Sequence, residues 1–153
     1  MKDKFVQAYM DVAERFAQLS SAVRLKVGAI VVKDDRIISI GYNGMPSGWD
    51  NECEDIALDV VGVAKDGNDI VRPRLKSKPE VLHAETNALA KLARSPESGD
   101  GASIFITHAP CLDCAKLIYQ SGISEVYYAE DYRSSEGLDF LKKSGINIFQ
   151  VRN

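Results

Sequence analysis

Cysteine and histidine are scarce in this 153-residue chain, three of one and two of the other. Three cysteines cannot build the two to four bridges that staple small secreted domains, so a disulfide framework is excluded. Long apolar runs are missing too. No stretch approaches the roughly 20 residues that span a bilayer. The start, Met1-Lys2-Asp3-Lys4-Phe5, leads into an amphipathic pattern carrying acids, unlike a secretory signal. The expectation is a cytoplasmic protein with no membrane partner. A net charge of −3 without a basic run gives no general pull on nucleic acid. Repeats and low-complexity segments are absent as well. What remains is an ordinary globular composition, 45% hydrophobic and 27% charged. At this length we expect one domain over 1–153, able to bury about 68–70% of its unfolded surface.

Apolar residues at Phe5, Tyr9, Val12, Ala13 and Phe16 recur at helical spacing and predict an amphipathic helix over 3–19. Two β-branched runs, 27–33 and 36–41, flank Asp34-Asp35 and predict an antiparallel hairpin. Residues 41–48 are turn chemistry, with three glycines and a proline. The stretch 49–82, acidic at its start and basic at its end, reads as an insertion. Within it 56–63 reads as a short helix and 66–69 as a loop. Beyond it the patterns predict a helix over 83–93, a strand over 102–107, a helix over 110–120 and a strand over 125–129. A helix over 137–143 and a strand over 146–151 follow. Strands alternating with helices predict an α/β fold with right-handed crossovers and a sheet covered on both faces. The hairpin makes that sheet mixed.

The scarce residues are concentrated. His83 and Glu85 stand in H-A-E, and Cys111 and Cys114 in P-C-L-D-C. One imidazole and two thiolates are a soft ligand set that suits zinc and leaves a fourth tetrahedral position open. Cys111 and Cys114 share a helix face, near a helix N-terminus that favours thiolate. Two thiolates and a neutral imidazole cancel the charge of Zn²⁺, so a water at the open position ionises at modest cost. Glu85 is placed to move protons from water to a ring nitrogen and then to departing ammonia. H-x-E with P-C-x-x-C is the pattern of zinc-dependent nucleobase deaminases, which makes hydrolytic deamination the expectation. A structural zinc site, closed by Cys53 or His108, and a redox C-x-x-C are the alternatives; a redox pair leaves H-A-E unexplained.

Further segments carry a family resemblance: V-G-A-I-V-V at 27–32, G-Y-N-G-M-P at 41–46, H-A-E-T-N-A-L at 83–89, T-H-A-P-C-L-D-C-A-K at 107–116, Q-S-G-I-S-E-V-Y-Y at 120–128 and D-Y at 131–132. Together they resemble the cytidine and deoxycytidylate deaminases, and within them the deoxycytidylate (dCMP) deaminases of bacteria and phages. The resemblance implies a three-layer α/β/α sandwich around a five-stranded mixed sheet. It implies hydrolysis of dCMP to dUMP and ammonia, supplying dUMP for thymidylate synthesis, with Zn²⁺ as the cofactor. It also implies a homo-oligomer, often a hexamer, and often control by dCTP and dTTP with Mg²⁺.

Carried over residue by residue, Asn43 would contact the deoxyribose, the backbone of Ala84 the pyrimidine, and Tyr132 would close over the base or sugar. Read alone, Asn43 is an Asn-Gly turn residue and Tyr132 a partly exposed packing residue. Arg24, Lys26 and Arg133 fall near the loops expected around the pocket, where they can neutralise a phosphate or remain solvated charges. Arg94 suits a subunit contact equally well. His108 reads as a pocket-wall group or a hydrogen-bonded structural histidine. Cys53 reads as a lone thiol, because no earlier cysteine completes a second zinc site. The competing functions are deamination of another cytosine nucleotide or nucleoside, deamination of tRNA adenosine, and a non-catalytic zinc-stabilised binding module.

Overall fold

Asp34 and Asp35 both adopt left-handed backbone, φ 50° and 58°, as the two-residue turn of a tight hairpin requires. They join β1 (Gly28–Lys33) to β2 (Arg36–Tyr42) in the computed structural model, which describes residues 1–151. The hairpin follows α1 (Asp3–Ala17). After it come β3 (Glu54–Val63), β4 (Asp69–Ser77), α2 (Ala84–Ala93), β5 (Ser103–His108), α3 (Leu112–Gln120), β6 (Glu125–Glu130), α4 (Glu136–Lys143) and β7 (Asn147–Gln150). Five strands form one sheet in the order β2-β1-β5-β6-β7. β1 runs antiparallel to β2 and β5, whereas β5, β6 and β7 are parallel. The sheet is mixed, as expected.

Two apolar layers sandwich it. On one face Ala29, Val31, Ile104, Ile106 and Val126 pack with Ala84 and Ala88 of α2, Ile118 of α3 and Leu141 of α4. On the other face Ile30, Val32, Phe105 and Tyr127 meet Met10 and Ala13 of α1. Phe105 and Tyr127 stack with ring centroids 4.5 Å apart. Strands β1 and β5 are buried along almost their whole length, which is why they read as unbroken apolar runs.

Two expectations need correction. Residues 56–63 are not a helix but the body of β3, which pairs antiparallel with β4 as a separate two-stranded sheet. Ile56, Leu58 and Val60 alternate with Ala57 and Asp59 at the period of a strand, and that period prevails over any helical reading. The second correction is smaller. α3 begins at Leu112 with Cys111 as its N-cap, so Pro110 precedes the helix instead of occupying its first turn.

Candidate active site

Two helix N-termini are driven together by close backbone contacts. α2 lies against β2 because Gly41 has no side chain; a Cβ there would collide with the carbonyl oxygen of Ala84 and the nitrogen of Ala88. The Ser39 hydroxyl donates to the Ala88 carbonyl at 2.6 Å, and the Asn87 amide donates to the Tyr42 carbonyl at 2.8 Å. At α3, Gly137 in the first turn of α4 comes so close that a Cβ would strike the Pro110 carbonyl and the Cys111 backbone. Together these contacts fix His83, the N-cap of α2, beside Cys111, the N-cap of α3.

His83, Cys111 and Cys114 present ligand atoms that all lie within 4.8 Å of one another. His83 Nδ1 stands 3.6 Å from Cys111 Sγ and 3.4 Å from Cys114 Sγ. A tetrahedral zinc with ordinary Zn–N and Zn–S bonds separates such donors by about 3.6 Å. The donor set and its spacing therefore fit zinc. Among the described residues neither Cys53 nor His108 joins this group, which leaves the fourth tetrahedral position without a protein ligand. The Thr86 hydroxyl lies 3.7 Å from Cys114 Sγ and supports it from behind.

Charge is rationed at this corner. Hydrogen bonds from Cys114 and His83 pull the Cys111 thiol down to about 4. Cys114 moves the other way, raised by its bond to the Cys111 thiolate and by burial. His83 is raised, chiefly by its hydrogen bond to Cys111. Glu85 is 5% exposed, and burial lifts its carboxyl to about 7 against the opposing pull of its own backbone amide and His83. A carboxyl poised there exchanges protons readily at neutral pH.

The corner opens into a cavity of about 640 Å³ whose lining includes His83, Ala84, Glu85, Cys111, Asn43 and Tyr132. That volume suits a small-molecule ligand. Asn43 lines it while spanning the loop ahead of β1: its Nδ2 donates to the Leu25 carbonyl and its Oδ1 accepts from the Val27 amide, both at 2.8 Å. One N–H of that amide and one lone pair of its oxygen are left over. Ala84 is fully buried in the wall. Tyr132 is half-buried, with the Arg133 guanidinium 5.4 Å from its ring centre, and both residues line the cavity.

Arg24 also lines the cavity and donates to the Ser77 hydroxyl at 3.1 Å, tying the loop before β1 to the end of β4. The Glu54 carboxylate accepts from the Val23 and Arg24 amides at the same junction. Lys26 is exposed and stands outside the lining. Arg94 is exposed at the C-cap of α2. His108 is half-buried in the wall, and burial lowers its pKa. Cys53 is buried in the wall, its thiol pushed up by burial.

Lys78 escapes any reading of the sequence. Its side chain is 19% exposed and lines the cavity, with the ammonium 3.8 Å from Glu52 and 3.9 Å from Asp55. The only signal was the basic end of the insertion, and nothing in that run separates Lys78 from its solvated neighbours.

The model of one protein family, the cytidine and deoxycytidylate deaminase zinc-binding region, matches residues 3–130. The chain is 34% identical, over an alignment 171 positions long with its gaps, to the deoxycytidylate deaminase of Enterobacteria phage T4, covering 93% of this chain and 87% of that one. It is likewise 34% identical to ComE operon protein 2 of Bacillus subtilis, over 95% of this chain and 70% of the relative. Among solved structures, the dCMP deaminase of cyanophage S-TIM5 in complex with dCMP and dUMP superposes with a TM-score of 0.83. Identity there is 44%, and 99% of each chain is covered.

Proposed function

The chain belongs to the cytidine and deoxycytidylate deaminase family, and we propose that it hydrolyses dCMP to dUMP and ammonia. The carrying observation is the meeting of an open His83-Cys111-Cys114 site with a buried Glu85 in one cavity. His83, Cys111 and Cys114 would hold a zinc ion, whose Lewis acidity would lower the pKa of water from 15.7 toward about 7.

The protein's own groups do the rest. Glu85 accepts a proton from the attacking water and delivers it to the ring nitrogen next to the reacting carbon. As the exocyclic C–N bond breaks, the same carboxylate takes the remaining proton of the added hydroxyl, which becomes the product carbonyl, and passes it to the amine, which leaves as ammonia. Ala84 offers backbone groups to the pyrimidine, Asn43 turns its remaining N–H or lone pair to the deoxyribose, and Tyr132 closes over the base or sugar. The raised pKa of Glu85 supports its role, because an acid near 7 gives and takes a proton with equal ease.

For the 5′-phosphate, Arg24, Arg133 and Lys78 are the cavity's cations among the described residues, offset by Asp131. We assign them to the phosphate, with Lys26, outside the lining, adding only long-range attraction. Family resemblance supports several further assignments. These are a homo-oligomer with the hexamer favoured, control by dCTP and dTTP with Mg²⁺ accompanying the nucleotide, and action in the cytoplasm. Residues 1–153 are assigned to one deaminase domain with the 49–82 segment inserted. No helix of the described chain is long and apolar enough to cross a membrane.

Ammonia release by zinc-loaded protein, measured on dCMP, CMP, dCTP, deoxycytidine and cytosine, tests the assignment. The expected result is the highest kcat/KM on dCMP. Equal activity on deoxycytidine removes the nucleotide claim, and no activity on any of the five favours a binding module.

A further inference from the structure

The β3–β4 hairpin has two unlike faces. Its register pairs Ile56 with Leu75, Leu58 with Pro73 and Val60 with Val71, so these six side chains share one face. The opposite face carries Asp55 across from Lys76, Ala57 from Arg74 and Asp59 from Arg72. There Arg74 forks onto Asp59, Nε to Oδ2 at 2.6 Å and Nη2 to Oδ1 at 3.2 Å. The charged face is content in water. The apolar face is not: Ile56 is 73% exposed, Leu58 65% and Val60 60%. Its six side chains expose on the order of 500 Å², at the upper end of what a typical monomer shows in one patch. Among the described residues the two strands pair only with each other, and an isolated two-stranded hairpin is marginal in water.

We propose that this face is covered by the same face of a second copy of the chain, packed about a two-fold axis through the Leu58–Pro73 row. The inference deepens the homo-oligomer part of the proposed function, but it rests on the hairpin and not on the site. Three observations choose the occupant. The three rows of the face carry no charge and no polar side chain. The Glu54–Ser77 row that continues the face is tied down to the Val23 and Arg24 amides and the Arg24 guanidinium, so the patch repels nothing in its own image, as an isologous contact requires. Its three rows are arranged about the central one. A two-fold there lays the Ile56–Leu75 row of one copy over the Val60–Val71 row of the other, larger side chains over smaller. Two such faces stacked bury on the order of 1,000 Å², the floor for a specific contact.

The alternative of adding a strand at the edge is blocked. Pro73 has no N–H to donate, and a bulge between Val60 and Gly62 twists β3 out of register. The contact would also steady the cavity wall, since β4 ends at Ser77 against Arg24 and Lys78 follows directly.

Sedimentation velocity on the full zinc-loaded chain at micromolar concentration tests this. The wild type is expected as a dimer or an even multiple of one. Leu58→Glu and Leu58→Lys, each alone, should fall to a smaller species with an unchanged circular dichroism spectrum. Mixing the two should restore the wild-type size, because the axis brings the opposite charges together and only folded copies can respond. Arg72→Glu, on the charged face, should assemble as the wild type does. A monomeric wild type overturns the assembly itself. Leu58→Glu at wild-type size shows assembly through another face and overturns only the surface, as does a mixture that fails to reassemble.

Discussion

The zinc corner and the β3–β4 hairpin are built on opposite principles. The corner is overdetermined: two helix N-termini are pressed into place by side-chain-free contacts at Gly41 and Gly137, and Glu85 and Cys114 are buried. The hairpin is underdetermined, a pair of strands outside the main sheet with its apolar face in water. Yet both border the same cavity, the corner through His83 and Glu85, the hairpin's end through Ser77 and the adjoining Lys78. The difference suggests a division of labour. On the proposed function, a rigid corner holds the reacting atoms, and an outer wall that leans on a small, dependent element reads what is attached to the base.

The corner half of that comparison breaks most completely. Glu85→Gln should keep one zinc per chain and lose about 10²–10⁴-fold in kcat, the usual worth of a positioned general acid–base. Cys114→Ser should lose the zinc itself. Metal analysis beside turnover separates the two. Glu85→Gln with near-normal turnover would remove the proton role from that residue.

A milder break tests the rigidity. Gly137→Ala puts a methyl into the Pro110 carbonyl and the Cys111 backbone, a strain of about 1–3 kcal/mol if the helix shifts to absorb it. Both the melting temperature and the zinc affinity should fall, the latter measured by competition with a chelating dye. A lowered melting temperature with unchanged zinc affinity would show that α4 supports the fold but does not position Cys111.

The same contrast governs what could be read from the sequence. The corner was legible because its chemistry is compressed into short motifs, with ligand spacing set by a single helical turn. The main sheet was legible for a related reason. β1, β5 and β6 are continuous apolar runs, and Asp34-Asp35 is a turn by its own backbone preference. The hairpin was misread although its signal was present. Ile56, Leu58 and Val60 alternate with Ala57 and Asp59, Val71, Pro73 and Leu75 alternate with Arg72 and Arg74, and residues 64–68, with Asp66-Gly67-Asn68 among them, lie between as the hairpin turn. Exposed apolar residues at strand period obscured it, since a buried face is what such a pattern ordinarily announces. Lys78 was invisible for another reason. Its place in the cavity depends on the Arg24–Ser77 and Glu54–Val23 hydrogen bonds, which join segments 53 and 31 residues apart.

The division of labour is tested most directly by Lys78→Ala, with kcat and KM measured on dCMP and on deoxycytidine in parallel. Loss of a charge-assisted contact of about 1.5–3 kcal/mol corresponds to roughly a 10–100-fold change. It should appear as a raised KM for dCMP, with kcat nearly unchanged and both constants for deoxycytidine close to wild type. An equal loss on both substrates, or a fall confined to kcat, would contradict the account and place Lys78 in the support of the corner instead of the reading of the phosphate.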